Sequence, residues 1–211
     1  MSHQKKRAEK SRQAILAAAE KCFLEHGFAS TSIDMIIEAA GISRATVFTH
    51  FGSKENLFKE VCSAVGNRQL PVMNMTRDFF SGLEDYLERY TSAVLLPSSL
   101  AIHRLAIVEG KRYPSLAGEH YKLGMAKIIP EIEKYIQQGM DQQLVRPGNV
   151  RILAEQLLKS SLGYRQYRAL LDVPEDSPAD SLEYVRSGVR GILTPAGIKK
   201  YDKWIAQRDM S

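Results

Sequence analysis

Thr31–Lys54, TSIDMIIEAAGISRATVFTHFGSK, is the stretch whose reading decides the fold. Ile33, Ile36, Ile37 and Ala40 recur at i, i+3, i+4 and i+7, which gives a helix one apolar face. Thr31 and Ser32 stand in front of it as N-cap residues, and Asp34 lies in the first turn, where an acid favours the helix dipole. Gly41 follows at the place of a left-handed C′ residue. Ile42 is apolar inside the turn, and Ser43 caps a new helix at once. A stop and a start this close leave a tight corner between two helices, the pattern of a helix-turn-helix.

The second helix of the corner is short, about Ser43 to His50. With about 100° per residue, a core-facing Val47 puts Ser43 and Phe51 beside it and points Ala45 and Thr49 almost directly away. Arg44 and Phe48 then cover one flank and Thr46 the other. The outward face is small and polar, with one long cation and one ring. Such a face suits a DNA major groove: Arg can be bidentate to guanine, Thr can hydrogen-bond either way, and Ala and Thr methyls can touch a thymine methyl. His50 and Lys54 sit at the exit, where phosphate contacts are natural. Lys54 also opens the next helix, so its backbone amide adds a helix-terminus contact. The candidate DNA-contacting residues are Thr31, Ser32, Ser43, Arg44, Ala45, Thr46, Phe48, Thr49, His50 and Lys54.

The whole string RQAILAAAEKCFLEHGFASTSIDMIIEAAGISRATVFTHFGSKENLF resembles the DNA-binding domain of the TetR/AcrR family of transcriptional regulators. The resemblance covers about Arg12 to Val61. It includes the GF before TS, the AAGIS turn, the T-V-F-x-H-F run and the SKE that follows. Two positions depart from the family pattern. Phe48 stands where Tyr is usual, so its ring can pack or touch sugar but cannot donate a hydrogen bond. Ile37 stands where Ala is usual, and a larger residue between the two helices changes their spacing or forces repacking. A second, weaker likeness, HRLAIVEGKRYPSLAGEHY, is to the ligand domain of the AefR-type branch, with its R-L-x-I-x-E, its aromatic-Pro and its following aromatic.

Outside this stretch the chain of 211 residues is 44% hydrophobic, with a net charge of +5 and little low-complexity sequence. That describes a globular protein with a mild basic excess, compatible with nucleic acid. The excess is concentrated: within residues 1–12, Lys5, Lys6, Arg7, Lys10 and Arg12 face Glu9 alone. Residues 1–11 therefore read as a basic arm, either a phosphate or minor-groove contact or a solvated tail. Cys22 and Cys62 sit among apolar neighbours in helical patterns. They read as small buried hydrophobes, a redox pair being the alternative, and no metal-ligand spacing surrounds them. The N-terminus lacks an apolar signal core and no run approaches a membrane span. A cytoplasmic protein without membrane partner, cofactor or metal is expected.

The expected architecture is all-α: a three-helix reader domain over residues 1–56, then a helical regulatory and pairing domain over 57–211. A first helix, about Ser11 to His26, carries Ile15, Ala18, Ala19, Cys22 and Phe23, and Gly27 ends it. A fourth begins at Ser53 or Lys54 and ends or bends near Gly66 and Pro71. Helices are then expected over residues 75–96, 99–113 and 114–143, with Gly124 and Pro130 warning of a kink or break in the last. Asn149 caps a helix running to Leu171, the loop DVPEDSPAD follows as an exposed connector, and two more helices carry Leu182–Leu193 and Ile198–Ile205.

A single reader of this size grips DNA weakly, whereas a two-fold dimer offers two readers to a palindrome. The stripes around Leu153–Leu171 and Leu182–Leu193, with small residues Ser160, Ser161, Gly163, Gly188 and Gly191, are the pairing candidates, or else face only their own domain. The resemblance implies that these two helices build a four-helix dimer interface. It also implies a small-molecule effector that moves the fourth helix and so the spacing of the readers. Met73, Met75, Phe79, Phe80, Tyr86, His103, Ile107, Tyr121 and Met125 are candidate pocket residues, or else plain core. Among these Phe79, Tyr86, His103, Ile107, Tyr121 and Met125 form the shorter set. Two other functions compete with an effector-released repressor. An enzyme would have to use His103, Glu109, Glu119 and His120, which fit no metal motif; no nucleophile elbow, phosphate loop or nucleotide fingerprint is present. A sequence-blind architectural DNA binder would lack preference for one palindrome.

Overall fold

The computed structural model describes residues 3–69, 71, 77–174 and 180–210, with the backbone alone at 3, 4 and 66–69. The chain forms helices α1 (His3–Ser30), α2 (Ile33–Ala40), α3 (Arg44–Phe51), α4 (Lys54–Gln69), α5 (Phe79–Val94), α6 (Pro97–Gly110), α7 (Pro114–Leu123), α8 (Met125–Asp141), α9 (Val150–Leu162), α10 (Arg165–Leu170), α11 (Ser181–Ile192) and α12 (Pro195–Arg208). Among the described residues the one β-type pairing is the bridge Val145–Leu193. No single described helix is long and apolar enough to cross a membrane. The helices assort into two compact units, Met1–Arg68 with Pro97–Leu123, and Gln69–Leu96 with Gly124–Ser211. This division cuts across the boundary expected at 56/57: α4 and the α6–α7 hairpin pack with the reader.

The first unit is built on the apolar stripe of α1. Ile15, Ala19 and Phe23 are buried against Ile36 of α2, Val47 and Phe51 of α3, and Leu57, Phe58 and Val61 of α4. Phe23, Phe28 and Phe58 meet edge-on or tilted with centroids 5.4–5.6 Å apart, the offset geometry that aromatic quadrupoles favour. Ile102, Leu105 and Leu116 of the α6–α7 hairpin belong to the same core. Cys22 and Cys62 are both buried, free thiols. Burial pushes the Cys62 thiol up to about 12, so it behaves as a small hydrophobe.

The expected arm is not separate. Helix begins at His3, eight residues before the expected start, and kinks at Gly27 (φ 78°, ψ 166°). Residues 3–11 hold no Gly or Pro, and Lys, Arg, Gln, Ala and Glu all favour helix. Gln13 Nε2 donates to Glu9 Oε1 at 2.7 Å across that segment. Met1 and Ser2 lie outside the described residues.

The second unit packs α5, α8, α9 and α11 around Leu83, Tyr86, Tyr135, Leu157, Leu158, Val185 and Val189, all fully buried. At its centre Glu84 of α5, wholly buried, accepts from Tyr201 Oη (2.8 Å) and Arg186 Nε (3.2 Å) and pairs with Arg208. One carboxylate thus ties α5 to α11 and α12. Two expected long helices are broken. The 114–143 helix breaks at Gly124, while Pro130 stands inside α8 without ending it. The helix expected to run to Leu171 stops at Gly163, whose φ of +55° suits glycine, and whose Cβ would meet the Tyr184 ring at 2.5 Å. α4 runs through Gly66 to Gln69. Met73, Met75 and the centre of the 172–180 loop lie outside the described residues.

Candidate nucleic-acid interface

The corner is set by its caps. Ser32 Oγ accepts from Met35 N at 3.2 Å and starts α2. Gly41, at φ 64° and ψ 35°, ends it in the left-handed conformation, its N–H reaching Ile37 O and Glu38 O. Two residues on, Ser43 Oγ accepts from Thr46 N at 3.2 Å and starts α3. Local residues therefore fix both ends of the turn, and the buried Ile36, Val47 and Phe51 fix which faces meet.

The outward face of α3 is the one that periodicity implies. Val47 and Phe51 are buried, while Arg44, Ala45, Phe48 and Thr49 are exposed and Thr46 and His50 half-buried. Thr49 Oγ1 donates to Ala45 O at 2.8 Å. Arg44 pairs with Asp34 of α2, and its guanidinium carbon lies 5.9 Å from the centre of the Phe48 ring. Both contacts are solvent-exposed, so the side chain is held in place cheaply and is released cheaply. Phe48, lacking the usual hydroxyl, supplies a ring for Arg44 to rest on. Ile37 is half-buried and packed against the reader core, so the larger residue is accommodated without leaving the fold.

Two candidate residues do other work. Thr31 is only 1% exposed, and its one hydroxyl proton is shared between Gly27 O (2.7 Å) and Cys22 O (3.0 Å). It stitches the end of α1, and Ser32 alone caps α2. Lys54 does not extend to solvent. Its Nζ donates to Phe28 O (2.9 Å), Thr31 O (2.8 Å) and Ala29 O (3.4 Å), and lies 4.5 Å from the Phe28 ring centre. The ammonium closes the carbonyl end of α1, as a cation at a helix C-terminus favours. Sequence alone misses this because the partner carbonyls lie over twenty residues upstream.

The residues proposed for an effector pocket fall in both units. In the second unit, Phe79 stacks on Tyr135 with centroids 5.2 Å apart, and Met125 Sδ accepts from Tyr90 Oη at 3.8 Å. Tyr86 is fully buried, and its hydroxyl finds no hydrogen-bond partner among the described residues. In the first unit, His103 Nδ1 lies 3.0 Å from His120 Nε2. Burial, and then the His103 imidazole, push His120 down to about 4. Ile107 and Tyr121 are 61% and 51% exposed. Ile107 lies opposite the buried stripe Ile102, Leu105, Ala106 and Glu109. Of the acid/base set the two imidazoles meet, while Glu109 bonds Ala29 N at 3.0 Å and Glu119 faces Lys59 and Lys122. Glu109 and Asp34 were missed as functional partners. An acid on a buried helical stripe is the signal that points to the first.

Residues 15–61 match the family described as bacterial regulatory proteins, tetR family, and residues 81–194 match AefR-like transcriptional repressor, C-terminal domain. Over 82 residues the chain is 39% identical to the HTH-type transcriptional repressor AcnR of Corynebacterium glutamicum, a match covering 38% of this chain and 44% of that protein. The chain thus spans less than half the length of that relative. Among solved structures it is similar to the Flavonoid-responsive Regulator FrrA, with a TM-score of 0.74 and 25% identity over 86% of this chain and 94% of that one. A TetR transcriptional regulator from Agrobacterium tumefaciens shares the fold, with a TM-score of 0.71 and 19% identity over 89% and 97% of the two chains.

Proposed function

The chain belongs to the TetR family of DNA-binding transcriptional regulators, not to a class of enzymes, and on that premise we propose that it is a homodimeric repressor of a palindromic operator, released by a small molecule. The observation that carries the reading is the outward face of α3, with Arg44, Ala45 and Thr49 exposed on a rod pinned by Val47 and Phe51. Arg44 takes a guanine edge, Ala45 and the Thr49 methyl take thymine methyls, and Ser43, Thr46 and His50 meet the flanking backbone.

Pairing is supported by the exposed side of the α9–α11 region. Ile152, Tyr164, Tyr167 and Leu171 are large apolar or aromatic side chains left in solvent, and a Cβ at Gly191 would meet nothing within 4 Å. Exposed apolar side chains on one protomer suit a self-complementary two-fold interface. Ser161 and Gly188 are used within the protomer instead, since a Cβ on Gly188 would fall 2.9 Å from Ser161 Oγ. Effector release is supported by the buried Tyr86 hydroxyl, which has no hydrogen-bond partner among the described residues and whose desolvation a ligand acceptor would offset.

Selection of bound fragments from random DNA, followed by footprinting, tests the reading. One palindrome should be preferred over random DNA by about 10³ or more. Equal binding to all sequences would leave a sequence-blind architectural protein. The complex is then titrated with flavonoids first, after the responsiveness that the name of the similar regulator FrrA states. Release needs only a preference for the DNA-incompetent state of about 100-fold. Ile152→Glu should yield monomers in sedimentation; a dimer of unchanged stability places the interface elsewhere.

A further inference from the structure

We propose that Glu109, on α6, is a positioning residue for DNA reading: its carboxylate holds the corner from which α2 and α3 are presented. This rests on the DNA-binding reading above and adds to it the element that sets the reader's angle. Glu109 is buried, and its Oε1 accepts from the backbone N–H of Ala29 at 3.0 Å, across eighty residues of chain. Ala29 lies just past the Gly27 kink and three residues before the Ser32 cap of α2. Gly27, two residues earlier, has non-helical φ and ψ, and a half-buried N–H beside such a kink gains from an acceptor outside the helix. The same oxygen stands 3.4 Å from where a Cβ on Gly27 would be, so the kink leaves it room.

The opposite polarity is met from the other side. Lys54 of α4 takes the carbonyls of Phe28 and Thr31. The Gly27–Thr31 corner is therefore gripped on its N–H by an anion and on its C=O groups by a cation. α6 reaches the corner a second way: Glu109 O accepts from Tyr113 N at 2.7 Å, and the Tyr113 ring meets Phe28 edge-on at 5.0 Å. A shift of the end of α6 breaks the Ala29 bond or carries the corner with it. Ser32 and the start of α2 follow, and α3 follows α2 through the buried Ile36–Val47 core. α6 thus sets the reader's angle in parallel with α4, and Glu109 is the atom-level contact through which it does so.

The test compares Glu109→Gln, whose amide oxygen still accepts, with Glu109→Leu, which fills the space without an acceptor. Glu109→Gln should bind operator as the parent does. Glu109→Leu should lose roughly tenfold in operator affinity, the scale of coupling between sites, with non-specific DNA binding and its salt slope kept. In parallel, the Ala29 amide should exchange slowly in the parent and in Glu109→Gln, and fast in Glu109→Leu. Should Glu109→Leu not fold, the contrast of parent and Glu109→Gln still decides: fast Ala29 exchange in either overturns the clamp. Parent-like operator affinity in folded Glu109→Leu overturns it too, as does equal loss of specific and non-specific binding. A parent without operator preference sinks the DNA-reading proposal instead, and the exchange data still judge the clamp.

Discussion

Replacing Lys54 by Met keeps the aliphatic stem and removes the ammonium, and so separates a structural clamp from a phosphate contact. The clamp comprises bonds of 2.8 and 2.9 Å to Thr31 O and Phe28 O, with a longer one of 3.4 Å to Ala29 O. A hydrogen bond from a charged donor contributes about 1.5–3 kcal/mol, and an exposed cation–π contact about 0.5–1 kcal/mol. Lys54 is half-buried, so water replaces part of what is lost. The expected cost is therefore about 2–3 kcal/mol, or roughly 1 M in the urea midpoint for an ordinary slope. Far-ultraviolet circular dichroism is the suitable probe, because the single tryptophan, Trp204, lies on α12 in the other unit. Operator binding should weaken as the corner loosens, while the salt slope stays, since no phosphate contact is removed. An unchanged unfolding curve with a salt slope flatter by about one would refute the clamp and restore Lys54 to the DNA backbone.

Arg44→Ala removes only exposed contacts, so stability should change by less than about 0.5 kcal/mol, while preference at one or two operator bases relaxes by about 1–3 kcal/mol; an unaltered binding-site profile would show that Arg44 does not read bases. His120, held at about 4 against an ordinary 6.5, takes up its proton more readily when unfolded. Its contribution to the first unit is full above pH 6.5 and falls towards pH 4, by about 3 kcal/mol at most. Urea midpoints at pH 7.5 and 5 should differ less in His120→Gln than in the parent, and equal differences would remove His120 as the cause. Glu84→Ala removes the buried acceptor shared by Tyr201, Arg186 and Arg208, while Asp209 still pairs with Arg186 and Glu88 lies by Arg208, so it should cost about 3 kcal/mol; a thermal midpoint within a degree of the parent's would show that the buried ion cluster holds nothing.

The reader's outward face was legible because everything that sets it is local. Ser43 caps α3, Gly41 ends α2, and about 100° per residue carries Val47 inward and Thr49 outward. The same arithmetic could not find Glu109 against Ala29, or Lys54 against Phe28. Those bonds join residues far apart in sequence, and no periodicity encodes which helix end meets which side chain. Helix breaks were legible in kind but not in place. Gly124 interrupts where Pro130 does not, and Gly163 splits a run whose apolar stripe reads as continuous. Thr31 illustrates the limit from the other side. A hydroxyl before a helix suits a cap and a DNA contact equally by sequence, and only its burial assigns it to the end of α1.

The compact unit that contains the reader is assembled from two separate pieces of chain, residues 1–68 and 97–123. Ile102, Leu105 and Leu116 from the later piece complete the core laid down by the earlier one. A truncated protein stopping at residue 68 would therefore present an uncovered greasy surface and should precipitate or self-associate. Supplying the 97–123 peptide in trans is the natural rescue, and protease trimming of the intact chain should release no soluble N-terminal fragment that still recognises DNA.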